Sequence, residues 1–405
     1  MNVLHINQSD NFGGAALAAY RLHQGLLQQG VESYLLVGSK VSLDERVEVF
    51  PQRYKLRKLG NWLSEKLALN YAFLPKVSLK SNTFFQKANI IHLHNLHTGY
   101  VNYRHLPEIL GDKKVILTLH DEWLYKGHCA YTRGCTRFKS GCGKCPFLET
   151  YPSVRWDNTR WEWKLKKEVF QKLNPIVICP SHWIASRAQK SFLGDSAIHV
   201  IPLGLDLKIF LPIDKKVSKP ALGLREADCV VGFGSFDLND PRKGGDILIK
   251  ALKELKPKDV NKIKLLLIGN GNSHQWADQT GLEAFSTGYI QDGPLKTLFY
   301  SACDIFVVPS REDNLPFVAL EAQACGVPVV ASRVGGLIDI IEENVTGIFA
   351  EPDDLTTFRK AIQELVDDSI KRTNMGASAR KRIERNFEIS NISQKIIELY
   401  QKSLA

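Results

Sequence analysis

The chain reads as two doubly wound α/β domains, each a parallel sheet covered by helices on both faces, facing each other across a cleft. Three observations predict this. Its 405 residues exceed the length at which one hydrophobic core stops growing, so two domains of about 200 residues each are expected. Short runs rich in Val and Ile alternate with helical stretches, and strand, helix, strand in alternation builds a sheet buried on both sides. The alternation lapses in "LGLDLKIFLPIDKKVSKPALGL", 203 to 224, where proline and lysine mark a linker, and then restarts.

In order, the first series of buried strands is "NVLHIN" (2 to 7), "SYLLVG" (33 to 38), "NIIHLHN" (89 to 95), "KVILTLH" (114 to 120), "PIVICPS" (175 to 181) and "HVIPLG" (199 to 204). Helical stretches such as "GAALAAYRLHQGLLQQG" lie between them. The second series is "CVVGFGS" (229 to 235), "KLLLIGN" (264 to 270), "DIFVVPS" (304 to 310) and "VPVVAS" (327 to 332). A long helical stretch, 355 to 403, comes last and breaks near "NFEIS". The boundaries expected are 1–205, 206–385 and a C-terminal helix over 386–405 that can cross back to the first domain. Ligands of such sheets bind beyond the carboxyl ends of the strands.

Composition fits a soluble globular chain, with 44% hydrophobic and 24% charged residues and no internal repeat. No apolar stretch approaches the roughly 18 residues that cross a bilayer. The start, "MNVLHINQSD", lacks the features of a secretion signal, so a cytoplasmic protein is expected. A formal charge of +10 favours anionic partners without choosing among nucleic acid, lipid and phosphorylated small molecules. Four of the eight cysteines cluster between 129 and 145, unlike a secreted disulfide scaffold.

One stretch carries charge where grease is expected. In "EDNLPFVALEAQACGVP", 312 to 328, Glu312 and Asp313 precede an apolar run and Glu321 sits inside it. Asp313 or Asn314 is an expected N-cap, Pro316 falls near the first turn and Gly326 just past the end, so a helix starts where a strand stops. Its unpaired N–H groups suit an anion. A buried carboxylate needs a partner, and a ribose diol offers two donors to Glu321. The eight-residue offset from Asp313 to Glu321 is about 12 Å along a helix, comparable to the span from a sugar across a diphosphate to a ribose. The plain alternative makes Asp313 a cap and pairs Glu321 with a backbone amide or a core Arg.

The stretch "SREDNLPFVALEAQACGVPVVASRVGGLIDIIEENVTGIF" resembles the nucleotide-sugar signature of the retaining glycosyltransferases of the GT-B fold, family 4, in its polysaccharide-type subset. That signature has two carboxylates with seven residues between them, a small-residue helix, a Gly-Gly turn, an acid and "TG". Glu321, Cys325, Gly326, Pro328, Gly335, Gly336, Asp339, Thr346 and Gly347 match it. The first acidic position, usually Glu, is Asp313 here, with Glu312 beside it. "RKGGDILIKAL" is similar to the family's phosphate-side motif. The resemblance implies a GT-B fold, donor-sugar contact by Asp313 or Glu312, and donor binding by Asn314, Leu315 and Glu321.

In "GFGSFDLNDPRKGG", a strand runs into a Gly-rich basic turn. A diphosphate leaving group gains charge as the glycosidic bond breaks, so a fixed cation there stabilises the transition state. Lys243 matches the family's Lys before Gly. Arg242 stands in for an Arg that the family often carries directly after the strand, where Ser235 or Phe236 stands here. Gly13 and Gly14 in "NFGGAAL" let backbone approach a ligand, although this is not the dinucleotide fingerprint; the resemblance sets them against donor phosphates. His120, at the end of "VILTLH", matches a family His that contacts the transferred sugar. His92, His94 and His97 read as structural or acceptor-side residues.

Cys129, Cys135, Cys142 and Cys145 enclose five, six and two residues in a Cys-rich loop within 121–150. Four thiolates so close make a candidate structural zinc clip, with disulfides and an iron–sulfur cluster as less suited alternatives. "RYKLRKLGNWLSEKLALNYAF", 53 to 73, sets leucines at helical spacing among Arg53, Lys55, Arg57, Lys58 and Lys66. Such a helix can rest on anionic membrane, or pack its leucines on the sheet.

The sequence thus predicts a retaining glycosyltransferase that moves a sugar from a UDP- or GDP-sugar to a hydroxyl of a glycan or lipid-linked acceptor in cell-surface polysaccharide synthesis. It would work in the cytoplasm, either free or at the inner membrane face, with no cofactor for catalysis and no nucleic-acid partner. The alternative is a non-catalytic nucleotide-sugar or nucleic-acid-binding protein of Rossmann-like architecture. A two-domain oxidoreductase fits the fold class but not the first glycine turn.

Overall fold

The structure, a computed structural model, describes residues 1–51, 54–256, 262–291 and 293–405. Two units emerge: Met1–Leu203 with Ile392–Ala405, and Gly204–Asn391. In the first, β1 (Asn2–Ser9), β2 (Glu32–Ser39), β3 (Val47–Val49), β4 (Ile90–Leu93), β5 (Lys114–Thr118), β6 (Ile176–Cys179) and β7 (Ile198–Val200) form one sheet. Its order is β3-β2-β1-β4-β5-β6-β7, and every pair is parallel. In the second, β8 (Cys229–Asp237), β9 (Ile263–Asn270), β10 (Glu283–Ser286), β11 (Ile305–Val308), β12 (Val329–Ser332) and β13 (Gly347–Ala350) run in the order β10-β9-β8-β11-β12-β13, again parallel throughout.

Side-chain alternation explains why both faces are covered. On β1, Leu4 and Ile6 enter one core with Leu36, Ile91 and Leu93, while Val3 enters a second with Ile90, Ile116 and Ile178. The second core is closed by Ile392, Ile396 and Tyr400 of the helix Ile389–Leu404. Each such side chain contributes about 1.5–3 kcal/mol on burial. In Gly204–Asn391, Val231, Phe233, Leu265, Leu267 and Val307 pack on the helices Gly245–Lys253 and Leu355–Asp367.

Three strands escaped the sequence reading. β3 is three residues long, β10 is the polar run "EAFS", and β13 opens on glycine, so none has a Val-rich run. β5 ends at Thr118, which puts His120 two residues beyond the strand rather than on it. The C-terminal helical stretch also breaks once more than expected, at Asp368, whose side chain accepts from Lys371 N–H and caps the helix Ser369–Asn386. Within each sheet the strand order reverses at one place, between β1 and β4 and between β8 and β11. Loops leaving the strands on either side of such a reversal diverge and open a crevice, where ligands of this architecture bind.

Candidate functional site

Lys243 lies beyond β8 and Asp313 beyond β11, the two strands flanking the switch point of the second sheet. Lys243 Nζ lies 2.6 Å from Asp313 Oδ2, Ser310 Oγ donates to the same oxygen at 3.3 Å, and Arg242 Nη1 stands 3.7 Å away. Arg242 is itself fixed by Asp240 at 3.2 Å and the Glu312 carbonyl at 3.1 Å. Burial alone would push the Asp313 carboxyl up, but Lys243 and Arg242 outweigh it and hold it below the usual carboxylate range. Burial lowers the Lys243 ammonium pKa, and Asp313 opposes that fall. Of the two neighbouring acids, Asp313 joins the cation cluster by its side chain and Glu312 joins it by its carbonyl.

Gly335 is what lets this loop close. Its φ is +56°, and a Cβ there would stand 1.8 Å from the Asp313 carbonyl oxygen, which Gly336 N–H caps at 3.1 Å. The helix itself runs Phe317–Ala324 with Pro316 at its N-cap and no side-chain cap bond. Neither Asp313 nor Asn314 caps it, because the N-cap position falls later, on Pro316, whose backbone is extended. Asp313 therefore lies outside the helix, and the 12 Å helical spacing to Glu321 does not apply. Asn314 and Leu315 are buried in the loop between them.

Glu321 departs further from expectation. Its side chain is 0% exposed; both oxygens lie 3.3 Å from Lys296 Nζ, and Oε2 accepts from Tyr300 O–H at 2.7 Å. Lys296 and Tyr300 come from the neighbouring helix Pro294–Ala302. In this structure its oxygens engage an internal cation and a phenol. Burial and the Glu321 charge raise the Tyr300 pKa well above its ordinary value, so it stays a donor. Through these contacts Glu321 ties the helix Phe317–Ala324 to the helix Pro294–Ala302.

In Met1–Leu203, Gly13 (φ +87°) turns the chain from β1 into the helix Gly14–Gln28, with no side-chain cap and open space beside both glycines. A file of imidazoles runs from within β1 to the ends of β4 and β5: His5 Nδ1 to His94 Nε2 at 3.0 Å, then His94 Nδ1 to His120 Nε2 at 2.9 Å. Burial lowers the His5 and His94 pKa values well below 6.5 and that of His120 to about 4. His5 Nε2 is buried without a partner, so donation running outward leaves a bare nitrogen there rather than an unpaired N–H. In that direction His120 Nε2 accepts and His120 carries its proton on Nδ1. Beside it, His97 Nε2 pairs with Asp121 Oδ2 at 2.8 Å. His92 is a core residue held by Tyr400 O–H at 2.6 Å and Thr118 at 2.7 Å.

Among the described residues, His5, His92 and His94 bring three donor atoms within 4.8 Å of one another. Their rings lie 4.3–5.3 Å apart at 27–34°. Lone pairs lie in the ring plane, so rings layered this way do not aim at one ion, and their hydrogen bonds already engage most of the nitrogens. The four clustered cysteines line one small cavity instead. Sequence reading missed Ser310, Lys296, Tyr300 and His128; only folding brings them to their partners.

Of the leucines at helical spacing in and just past the helix Tyr54–Lys66, Leu56, Leu59 and Leu67 stand exposed rather than packing on the sheet, and Leu63 is half-buried. Gly60 and Ser64 face inward, and Leu56, Leu59, Trp62 and Leu67 are 42–53% exposed, among exposed Lys55, Lys58 and Lys66. A Cβ on Gly60 would stand 2.5 Å from the Phe73 carbonyl, so only a small residue fits the contact. Arg53 lies outside the described residues. No described helix is long and apolar enough to cross a membrane.

Known proteins match the chain along the same division. Residues 12–209 match the model of Glycosyltransferase Family 4, and residues 239–382 that of Glycosyl transferases group 1. The chain is 26% identical over 368 residues to WcaC of Escherichia coli strain K12, a protein named for colanic acid biosynthesis as a glycosyl transferase, covering 85% of this chain and 86% of that one. A GDP-mannose-dependent monoacylated alpha-(1-6)-phosphatidylinositol monomannoside mannosyltransferase of Corynebacterium glutamicum is 30% identical over 239 residues, 55% of this chain and 60% of that protein. Among solved structures, Anabaena HepE in complex with UDP superposes with a TM-score of 0.68 at 21% identity, over 99% of this chain and all of that one. At that identity the likeness is one of fold.

Proposed function

We propose, from the premise that this chain is a glycosyltransferase belonging to the group 1 and family 4 glycosyl transferases of GT-B fold, that it is a retaining enzyme of cell-surface polysaccharide synthesis. It transfers a sugar from a UDP- or GDP-sugar to a hydroxyl of a glycan or lipid-linked acceptor. The likeness to WcaC supports the polysaccharide role. The names of the relatives supply both bases, GDP in the mannosyltransferase and UDP in the HepE complex.

The observation that carries the reading is the contact between Lys243 and Asp313 at 2.6 Å, with Arg242 behind it. Two cations held at a strand-end switch point suit a diphosphate, and a carboxylate between them suits the hydroxyls of the attached sugar. As the glycosidic bond lengthens, negative charge builds on the leaving diphosphate. Lys243 is already oriented to meet it, which favours the transition state over the ground state. Departing phosphate oxygen then takes the acceptor proton on the same face, while Lys243 and backbone dipoles take the charge-stabilising role of a metal. His120, neutral at physiological pH and with its Nδ1 proton outside the internal file, serves carbohydrate-hydroxyl recognition.

We further assign the exposed face of Tyr54–Lys66 to the inner membrane surface, where apolar side chains enter the interface and the lysines meet anionic headgroups. Co-sedimentation with phosphatidylglycerol vesicles, lost on Leu59→Ser with Trp62→Ser, checks this. The function itself is tested by incubating the protein with UDP- and GDP-sugars and a lipid-linked oligosaccharide acceptor, then reading the product anomer by NMR. Transfer with the donor's own anomeric configuration supports retention; an inverted product overturns it.

A further inference from the structure

One cavity of about 20 Å³ in Met1–Leu203 is lined by Cys129, Cys135, Cys142, Cys145 and His128. That volume admits about one water-sized sphere, the scale of a single ion. Its walls are ordered. Gly127 N–H donates to Cys142 Sγ at 3.3 Å. Cys142, Gly143 and Lys144 all have positive φ, so the C-x-x-C segment is a tight knuckle. Gly143 N–H is anchored on Thr159 at 2.9 Å and Cys145 N–H on Asp157 at 2.7 Å.

His128 is the part that spacing in the sequence could not reveal. It is 2% exposed, and its Nδ1 lies 2.8 Å from the Pro152 carbonyl. A carbonyl only accepts, so Nδ1 carries the proton and Nε2 presents a lone pair. That Nε2 lies 3.5 Å from Cys145 Sγ. Two ligands about 2.0 and 2.3 Å from a tetrahedral zinc stand about 3.5 Å apart, so this pair already has the edge length of a coordination tetrahedron.

We propose that residues 128–145 form a structural zinc centre with Cys142, Cys145 and His128 as ligands and the fourth position filled by Cys129 or Cys135. Three thiolates, one imidazole and Zn²⁺ carry a net charge of −1, and Lys126, lining the same cavity, opposes it. The cysteine cavity has no three donors mutually within 4.8 Å, so it gathers around the ion as it binds. Binding converts three thiols to thiolates and releases their protons. The centre fastens the loop after His120 and Asp121 and takes no part in the transfer reaction.

The test uses the full chain, purified without a metal-binding tag. Elemental analysis is expected to find one zinc per chain, and replacement by cobalt to give the intense visible bands of tetrahedral thiolate-bound Co²⁺. Cys142→Ser, Cys145→Ser and His128→Ala each cut bound zinc at least several-fold, Cys229→Ser leaves it unchanged, and the single variants Cys129→Ser and Cys135→Ser identify the fourth ligand. Where a variant fails to fold, wild-type protein still decides: a mercurial reagent added stepwise is expected to release zinc in proportion to the thiols consumed. Eight titratable thiols with no zinc released, or a mass showing disulfides within 129–145, overturns the proposal. Zinc content that survives His128→Ala but not the four cysteine variants overturns the assignment of His128.

Discussion

The two strand-end clusters solve opposite electrostatic problems. In Gly204–Asn391, Asp313, Lys243 and Arg242 are kept charged at close quarters, each cation lowering the cost of the buried carboxylate. In Met1–Leu203, His5, His94 and His120 are kept neutral, joined by hydrogen bonds and stripped of protons by burial. On the proposed function, the first region meets a partner that brings negative charge and the second meets neutral hydroxyls. The difference shows how sheets of one topology are given different chemistry by the few residues beyond their strand ends.

This contrast would collapse if charge in the second unit proved only structural. Glu321→Ala leaves Lys296 buried without its carboxylate and is expected to cost about 3–5 kcal/mol of stability in denaturant unfolding, while Glu321→Gln, which still accepts from Tyr300, costs less. A large loss of ligand affinity in Glu321→Gln with stability intact would return Glu321 to direct contact. Lys243→Ala is expected to lower the transfer rate about 10²–10³-fold, the usual cost of removing one donor aimed at developing charge. Asp313→Asn probes the same cluster. Without its carboxylate the Lys243 ammonium pKa falls further, so the alkaline limb of the rate profile should move to lower pH.

The neutral region predicts an acid response. Burial lowers the folded pKa of His120 to about 4 and that of the neighbouring His92 to about 3, against 6.5 when unfolded. Between those values the unfolded chain takes up protons that the folded chain refuses. Stability is therefore complete above pH 6.5 and falls as pH drops, by about 1.4 kcal/mol per pH unit for each imidazole. Thermal unfolding monitored from pH 7 to pH 4 checks the slope. The smallest effect is expected from His94→Gln, which releases His120 from its fixed tautomer and should raise KM for a carbohydrate substrate several-fold with little change in kcat.

The strands were readable because parallel strands buried on both faces read as near-continuous aliphatic runs of Val, Ile and Leu, and "NVLHIN", "KVILTLH" and "KLLLIGN" supply them. The edge strand β3 and the polar strand β10 were not, since three residues or a run like "EAFS" carry no period. At the site, Lys243 and Asp313 could each be picked out, the first before a Gly-rich helix start and the second beside a strand end. That they touch could not, because 70 residues separate them and only the switch point joins them. The internal contacts of Glu321 were hidden for a related reason. A carboxylate in an apolar helix must have a partner, but periodicity does not say that the partner is Lys296, 25 residues earlier on the adjacent helix.

Lys243, held by Asp313, is assigned to receive the diphosphate of a nucleotide sugar, and on that assignment the proposed chemistry stands. Calorimetric titration of UDP and GDP into the wild-type chain and into Lys243→Gln puts it to the test. One of the two nucleotides is expected to bind the wild type, and a natively folded Lys243→Gln to bind it at least about tenfold more weakly, the loss of one charge-assisted contact. Equal affinity in the two proteins would refute the assignment.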